Sequence, residues 1–118
     1  MGSKQILGRF GEDVVATLVQ GRGGELLDRN WRVKEGEIDL VAREKETYLF
    51  IEVKTRRSRA WGDPLEAITP IKLRRLHILA RIWLRINCLT GVPFRIDCAS
   101  VVIDRNGDID IDYRSGLI

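Results

Sequence analysis

Apolar positions recur along this chain with two periods, and the changes of period mark out its elements. Leu7, Phe10, Val14 and Leu18 fall at i, i+3, i+7 and i+11, one stripe of a helix expected over residues 3–20, with Ser3 able to cap it. Glu12 lies off the centre of that stripe, at the border of the core. Gly21, Gly23 and Gly24 then end the helix. Three strands are expected next. Residues 25–32 (ELLDRNWR) carry the weakest pattern. Residues 37–43 (EIDLVAR) alternate, with Ile38, Leu40 and Ala42 on one face and Glu37, Asp39 and Val41 on the other. Residues 48–55 (YLFIEVKT) are mostly apolar, as in a central strand covered on both sides. The short connector 44–47 makes the last two an antiparallel pair.

A polar loop, RRSRAWGDP, leads to a long helix. It starts at Pro64 or at Pro70, where a proline can break it, and runs to Asn87. Residues 94–103 and 108–113 complete the strands, joined by a turn at Asn106-Gly107. The order αβββαββ, with a helix between the third and fourth strands, predicts an α/β fold. It implies a right-handed crossover and a mixed sheet with helices against it.

Composition adds limits. A chain of 118 residues, 44% apolar and 31% charged, fits one soluble domain. No run is apolar enough for a membrane span, and residues 1–10 lack the apolar centre of a signal peptide, so a cytoplasmic protein with no membrane partner is expected. Cys88 and Cys98 lack metal-ligand spacing and are expected to be reduced. The net charge of +3 is unevenly spread: residues 56–95 carry nine basic side chains against Asp63 and Glu66. That asymmetry points to a polyanionic partner, nucleic acid first, although a solvated basic helix face would look the same.

The informative charges are those inside the strands. Glu52 and Lys54, two apart, share a face with Phe50, while Leu49, Ile51 and Val53 take the other. If the two central strands pair in the register that brings Asp39 beside Glu52, two carboxylates and an ammonium converge. Carboxylates held together repel, and burial raises their pKa values further. Mg²⁺, which takes one or two carboxylates plus water and phosphate oxygens, relieves both problems. Such a group suits metal-assisted phosphodiester hydrolysis.

GEIDLVA (36–42) followed by FIEVKTR (50–56) resembles the PD-(D/E)XK nuclease superfamily, with Asp39 as the motif aspartate and Glu52-Val53-Lys54 as ExK. GRFGEDVVA (8–16), LLDRNWR (26–32), WGDPLEAI with Lys72, and FRIDCASVV (94–102) extend the likeness over most of the chain. They are similar to the YraN family of uncharacterised bacterial proteins, relatives of Holliday-junction resolvases. The resemblance implies a restriction-endonuclease-like fold that acts on DNA with Mg²⁺ or Mn²⁺. Asp39 and Glu52 would hold the metal with the backbone carbonyl of Val53, Glu12 would reach it from the first helix, and Lys54 would be the catalytic lysine. Thr17 and RGGE (22–25) stand where the family usually shows an aromatic.

Around this group, Arg56, Arg57 and Arg59 follow the ExK strand and could clamp substrate. On the long helix Arg74, Arg81 and Arg85 form one stripe with His77 at its flank, opposite a core stripe of Leu76, Leu79, Ala80, Trp83 and Ile86. Those arginines could follow a phosphate backbone, and Lys72, on the sheet side, is expected to assist the site. Trp61 is expected to anchor its loop, Glu37 to pair with an arginine, and Asp97 to neutralise a basic neighbour. A DNA nuclease, with branched or structured DNA among its substrates as the resolvase likeness suggests, is thus the leading expectation, and a homodimer would suit the cutting of two strands. The rival is a non-catalytic nucleic-acid-binding or assembly protein that keeps the fold.

Overall fold

The computed structural model describes residues 2–58 and 68–117. Helix α1 (Ser3–Gly21) leads into β1 (Glu25–Val33), β2 (Gly36–Glu44) and β3 (Thr47–Arg56). Helix α2 (Pro70–Ile86), β4 (Phe94–Ile103) and β5 (Ile109–Arg114) follow. The strands form one mixed sheet in the order β1-β2-β3-β4-β5. Only β3 and β4 run parallel, as the intervening helix requires, and the other neighbours are antiparallel. This is the α/β order αβββαββ, with a mixed sheet, that the pattern implied. Among the described residues, no helix is long and apolar enough to cross a membrane.

Strand alternation splits the core into two layers. Tyr48 and Phe50 pack with Leu76, Leu79 and Trp83 of α2, while Leu49 and Ile51 pack with Val15 and Val19 of α1. Central β3 is therefore covered on both faces, which explains its nearly continuous apolar sequence. Trp83 is fixed at both ends: its ring meets Phe50 edge-on at 5.7 Å, and its indole N–H donates to Asp28 Oδ2 at 3.0 Å.

Both helices correct the periodicity. On α1 the buried residues are Gly11, Val15, Ala16 and Val19, whereas Phe10 is 40% exposed. The reason is Gly11. A Cβ there would lie 1.8 Å from Thr55 Oγ1, so the helix backbone presses directly on β3 and small side chains, rather than the large apolar stripe, face the sheet. The cap differs too: Gly2 is the N-cap, and its N–H donates to Gln5 Oε1 at 3.0 Å. On α2, Thr69 caps the helix by accepting from Lys72 N–H at 3.1 Å, with Pro70 in the first turn, where its missing N–H is harmless. Ile86 leaves the core stripe and is 60% exposed, because the helix ends there at the Asn87 C-cap.

Strand β2 departs from simple alternation at Asp39. Leu40 and Ala42 face α1 and Val41 faces α2, as expected, but Ile38 also joins the α2 layer. Across from this point, between the Arg29–Leu40 and Trp31–Ile38 pairs, Asn30 of β1 has φ +51°, and the register of β1 shifts nearby, between Leu26 and Asp28. Asparagine tolerates that left-handed conformation better than most residues. The break in alternation matters because Asp39 sits at it.

The close approach of α1 to β3 can be tested. Gly11→Ala should destabilise the fold by about 1–3 kcal/mol in urea unfolding. Thr55→Ala, which removes the nearest obstacle, should recover part of that loss in the double variant. Equal losses with and without Thr55 would refute the contact.

Candidate functional site

The β2–β3 ladder runs from Glu44 opposite Thr47 to Leu40 opposite Ile51 and stops there. Beyond it a backbone N–H on β3 needs an acceptor, and a side chain provides one. Val53 N–H donates to Asp39 Oδ2 at 2.8 Å. This bond turns the Asp39 carboxyl toward β3 and brings it within hydrogen-bonding reach of the Glu52 carboxyl. Asp39 and Glu52 therefore meet on the α2 side of the sheet, in the register that the sequence argument required.

Their electrostatics are strained. Burial first, and then the adjacent Glu52 carboxyl, push the Asp39 carboxyl from its ordinary 3.8 up to about 8, against the opposing pull of the Val53 N–H. The Asp39 carboxyl therefore keeps its proton near neutral pH. Glu52 has a second partner: Lys72 Nζ lies 2.7 Å from its Oε2, reaching over from the first turn of α2. Between the sheet and α2 opens a cleft of about 490 Å³ whose walls include Gly36, Asp39, Glu52, Lys72, Arg75 and Leu79. Gly36 opens β2 with φ +148°, and a Cβ there would come 3.2 Å from the Leu79 side chain, so glycine keeps this wall open.

Other expected site residues are arranged less simply. Glu12 approaches from the α1 side and adds only the smallest of the influences on Asp39. Arg29 holds it instead, with Nε 3.6 Å from Glu12 Oε1, while the same guanidinium bonds Asp13 Oδ1 at 2.6 Å. Among the described residues, no three carboxylate, histidine or cysteine side chains come together as a metal-ligand group. The expected set of Glu12, Asp39 and Glu52 is thus reduced to the pair Asp39–Glu52. Two carboxylates still fit Mg²⁺ or Mn²⁺, which fill their remaining positions with water and substrate oxygens. Val53 enters the group through its N–H.

Lys54 shares the face of Glu52 but is exposed, lies beside Ser100 of β4, and stands outside the walls of the cleft. Cys98 lies next to Glu52 across the β3–β4 ladder, and burial, reinforced by that carboxylate, pushes its thiol up to about 11. It is an inert wall, not a nucleophile. Arg57, Arg74, Arg81 and Arg85 are exposed and Arg56 is half-buried, while Arg59 and Trp61 lie outside the described residues. Arg81 Nε donates to His77 Nδ1 at 3.4 Å, and the His77 ring packs on Phe94. Sequence reasoning missed Arg75. Its spacing of i+3 from Lys72 puts both on one side of the helix, and that signal could have revealed it.

The remaining charge expectations can be checked directly. Glu37 pairs with Arg32 at 2.9 Å. Asp97 is fully buried and satisfied: it accepts from Arg95 Nε at 3.0 Å, Tyr113 Oη at 2.5 Å and Gly116 N–H at 2.9 Å. Cys88 and Cys98 are both free.

Comparison with known sequences gives one family. The family described as uncharacterised protein family UPF0102 matches residues 11–101. A UPF0102 protein of Renibacterium salmoninarum is 43% identical over 99% of both chains, and one of Streptomyces griseus is 44% identical with the same coverage. Among solved structures, Pyrococcus furiosus SfsA in complex with Ca²⁺ is 14% identical with a TM-score of 0.46. That match covers 96% of this chain but 64% of SfsA, so this chain spans less than two thirds of that protein.

The raised Asp39 pKa has a definite sign in stability. Between about pH 4 and pH 8 the folded chain holds a proton that the unfolded chain releases, so stability falls as pH rises through that window. Thermal melts without metal should drop across it, and Asp39→Asn should flatten the drop while keeping an acceptor for Val53 N–H. Added Mg²⁺ should raise the melting temperature most at the alkaline end. A flat profile indifferent to Mg²⁺ would contradict this electrostatic picture.

Proposed function

The chain belongs to the uncharacterised protein family UPF0102, and we propose that within it this protein is a divalent-metal-dependent nuclease that hydrolyses DNA phosphodiester bonds, with branched or structured DNA as its substrate. The observation that carries this reading is the Asp39–Glu52 pair: two carboxyls face to face in a cleft whose other wall is basic. A carboxyl perturbed by burial and by a neighbouring carboxyl, lining a cleft, marks a candidate functional site. The basic wall suits a substrate whose every unit carries a negative phosphate.

In this reading Asp39 and Glu52 are the ligands of Mg²⁺ or Mn²⁺, joined by the Val53 carbonyl, with Glu12 assisting through its charge. The bound ion would polarise a phosphoryl oxygen and lower the pKa of an attacking water. The chain's own residues do the rest. Val53 N–H keeps Asp39 aimed at the site through the 2.8 Å bond. Lys54, exposed on the same face, is free to approach the phosphate and stabilise the charge that develops there. Lys72, Arg75 and the other arginines of α2, with Arg56 at the end of β3 and Arg57 and Arg59 after it, hold the backbone on either side. Two copies would cut two strands, so a homodimer belongs to the proposal.

A second reading has one observation in its favour. Glu52 is already paired with Lys72, and Glu12 with Arg29, so the charged cluster is partly neutralised without any ion. That suits a binding protein that keeps the fold but does no chemistry.

Cleavage of linear, single-stranded, flap and four-way DNA and of RNA, each with Mg²⁺ or Mn²⁺, separates the two. The nuclease reading expects metal-dependent cutting that falls at least about 100-fold in Glu52→Gln, with DNA affinity largely kept. Identical cutting by wild type and Glu52→Gln, or none with any substrate, would reject it.

A further inference from the structure

The basic group nearest the carboxylates comes from α2 and not from the ExK strand. Lys72 Nζ is 2.7 Å from Glu52 Oε2, whereas Lys54, two residues beyond Glu52, is exposed and outside the cleft. The surroundings of the two partners differ sharply. The Glu52 side chain is 14% exposed and that of Lys72 40%, so the carboxylate is confined while the lysine has solvent on one side. A lysine is a point charge on a flexible four-carbon stem and can change partners by side-chain rotation alone. Arg75, one turn further along α2, lines the same cleft and offers a second cationic group beside it.

Resting on the metal-site reading above, we propose that Lys72 is an exchangeable counterion of Glu52: it neutralises the carboxylate while the site holds no cation, yields it when a divalent ion binds, and then pairs with a substrate phosphate next to Arg75. The exchange follows from charge. Glu52 cannot give its oxygens fully to a hard cation while an ammonium sits on one of them, and two cations so close repel each other. Once displaced, the ammonium stays within the cleft, since its helix is anchored by the Thr69 cap and by Leu76, Leu79 and Trp83 in the core. There an anion brought by the substrate offers it a new partner, in competition with Glu37, which lines the same cleft and is already paired with Arg32. Metal and DNA thus become linked: the ion frees the lysine, and the lysine helps to retain the phosphate.

Lys72→Met removes the charge at similar length, and Lys72→Arg keeps it. On the full chain, Mn²⁺ affinity without DNA can be followed by electron paramagnetic resonance. Binding of a four-way DNA junction with Ca²⁺ in place of Mn²⁺ can be followed over a salt series. Lys72→Met should bind Mn²⁺ roughly five-fold more tightly, because a competing charge at contact distance is gone. It should bind the junction more weakly, with the log–log salt slope reduced by about one. Lys72→Arg should restore the slope. A lysine with a merely structural role would weaken both ligands together, which overturns the proposal, as does Mn²⁺ affinity unchanged in Lys72→Met. Glu52→Gln keeps the two ideas apart. If wild type binds Mn²⁺ and Glu52→Gln does not, yet Lys72→Met changes nothing, only the assignment of Lys72 falls. If wild type binds no Mn²⁺, the metal-site reading falls and this proposal with it.

Discussion

Everything at the site depends on one hydrogen bond at the end of a ladder. Strand β2 stops pairing with β3 after Leu40, and the Val53 N–H that follows is taken by the Asp39 side chain. A buried N–H must find an acceptor, so the backbone itself dictates where this carboxyl points. The consequence is an arrangement that neither carboxyl would adopt in isolation, with Asp39 against Glu52 beneath the first turn of α2. The break in the alternation of β2, the left-handed Asn30 opposite it and the pressure of Gly11 on Thr55 all lie near this one point.

The two buried aspartates of the sheet show how unusual that is. Asp97 is completely buried, yet an arginine, a tyrosine hydroxyl and a backbone N–H satisfy it, and it ties β4 to the segment after β5. Its role is structural. Asp39 is less buried but faces another carboxyl, and its pKa rises for that reason as well as for burial. Nothing in the packing of the sheet requires this confrontation, and the proposed divalent ion would relieve it. The basic residues sit mostly on the opposite wall and along α2, so the protein offers opposite signs across one cleft.

Much of this was legible in the sequence because strand alternation is rigid. Leu49, Ile51 and Val53 had to face away from Phe50, Glu52 and Lys54, and they do. The element order and the pairing of β2 with β3 followed from short connectors and turn residues. The α1 stripe was misread because periodicity weighs hydrophobicity and ignores closeness of approach. Gly11 and Ala16 carry little apolar surface, yet they let the helix touch the sheet, and Phe10 is left half outside. The pairing of Lys72 with Glu52 and of Arg29 with Glu12 was out of reach for another reason. Each joins residues far apart in the chain through flexible side chains, which no local pattern encodes. The strand pattern itself pointed to two carboxylates, Asp39 and Glu52, and these meet, whereas Glu12, added by the family resemblance, is held by Arg29.

The most direct test of the account is a crystal grown or soaked with Mn²⁺ and measured at a wavelength where manganese scatters anomalously. The account predicts one strong anomalous peak bridging the Asp39 and Glu52 carboxylates, with the Val53 N–H still on Asp39 and the Lys72 ammonium withdrawn from Glu52. A map with no peak there, or one in which Asp39 and Glu52 point to opposite sides of the sheet, would contradict it.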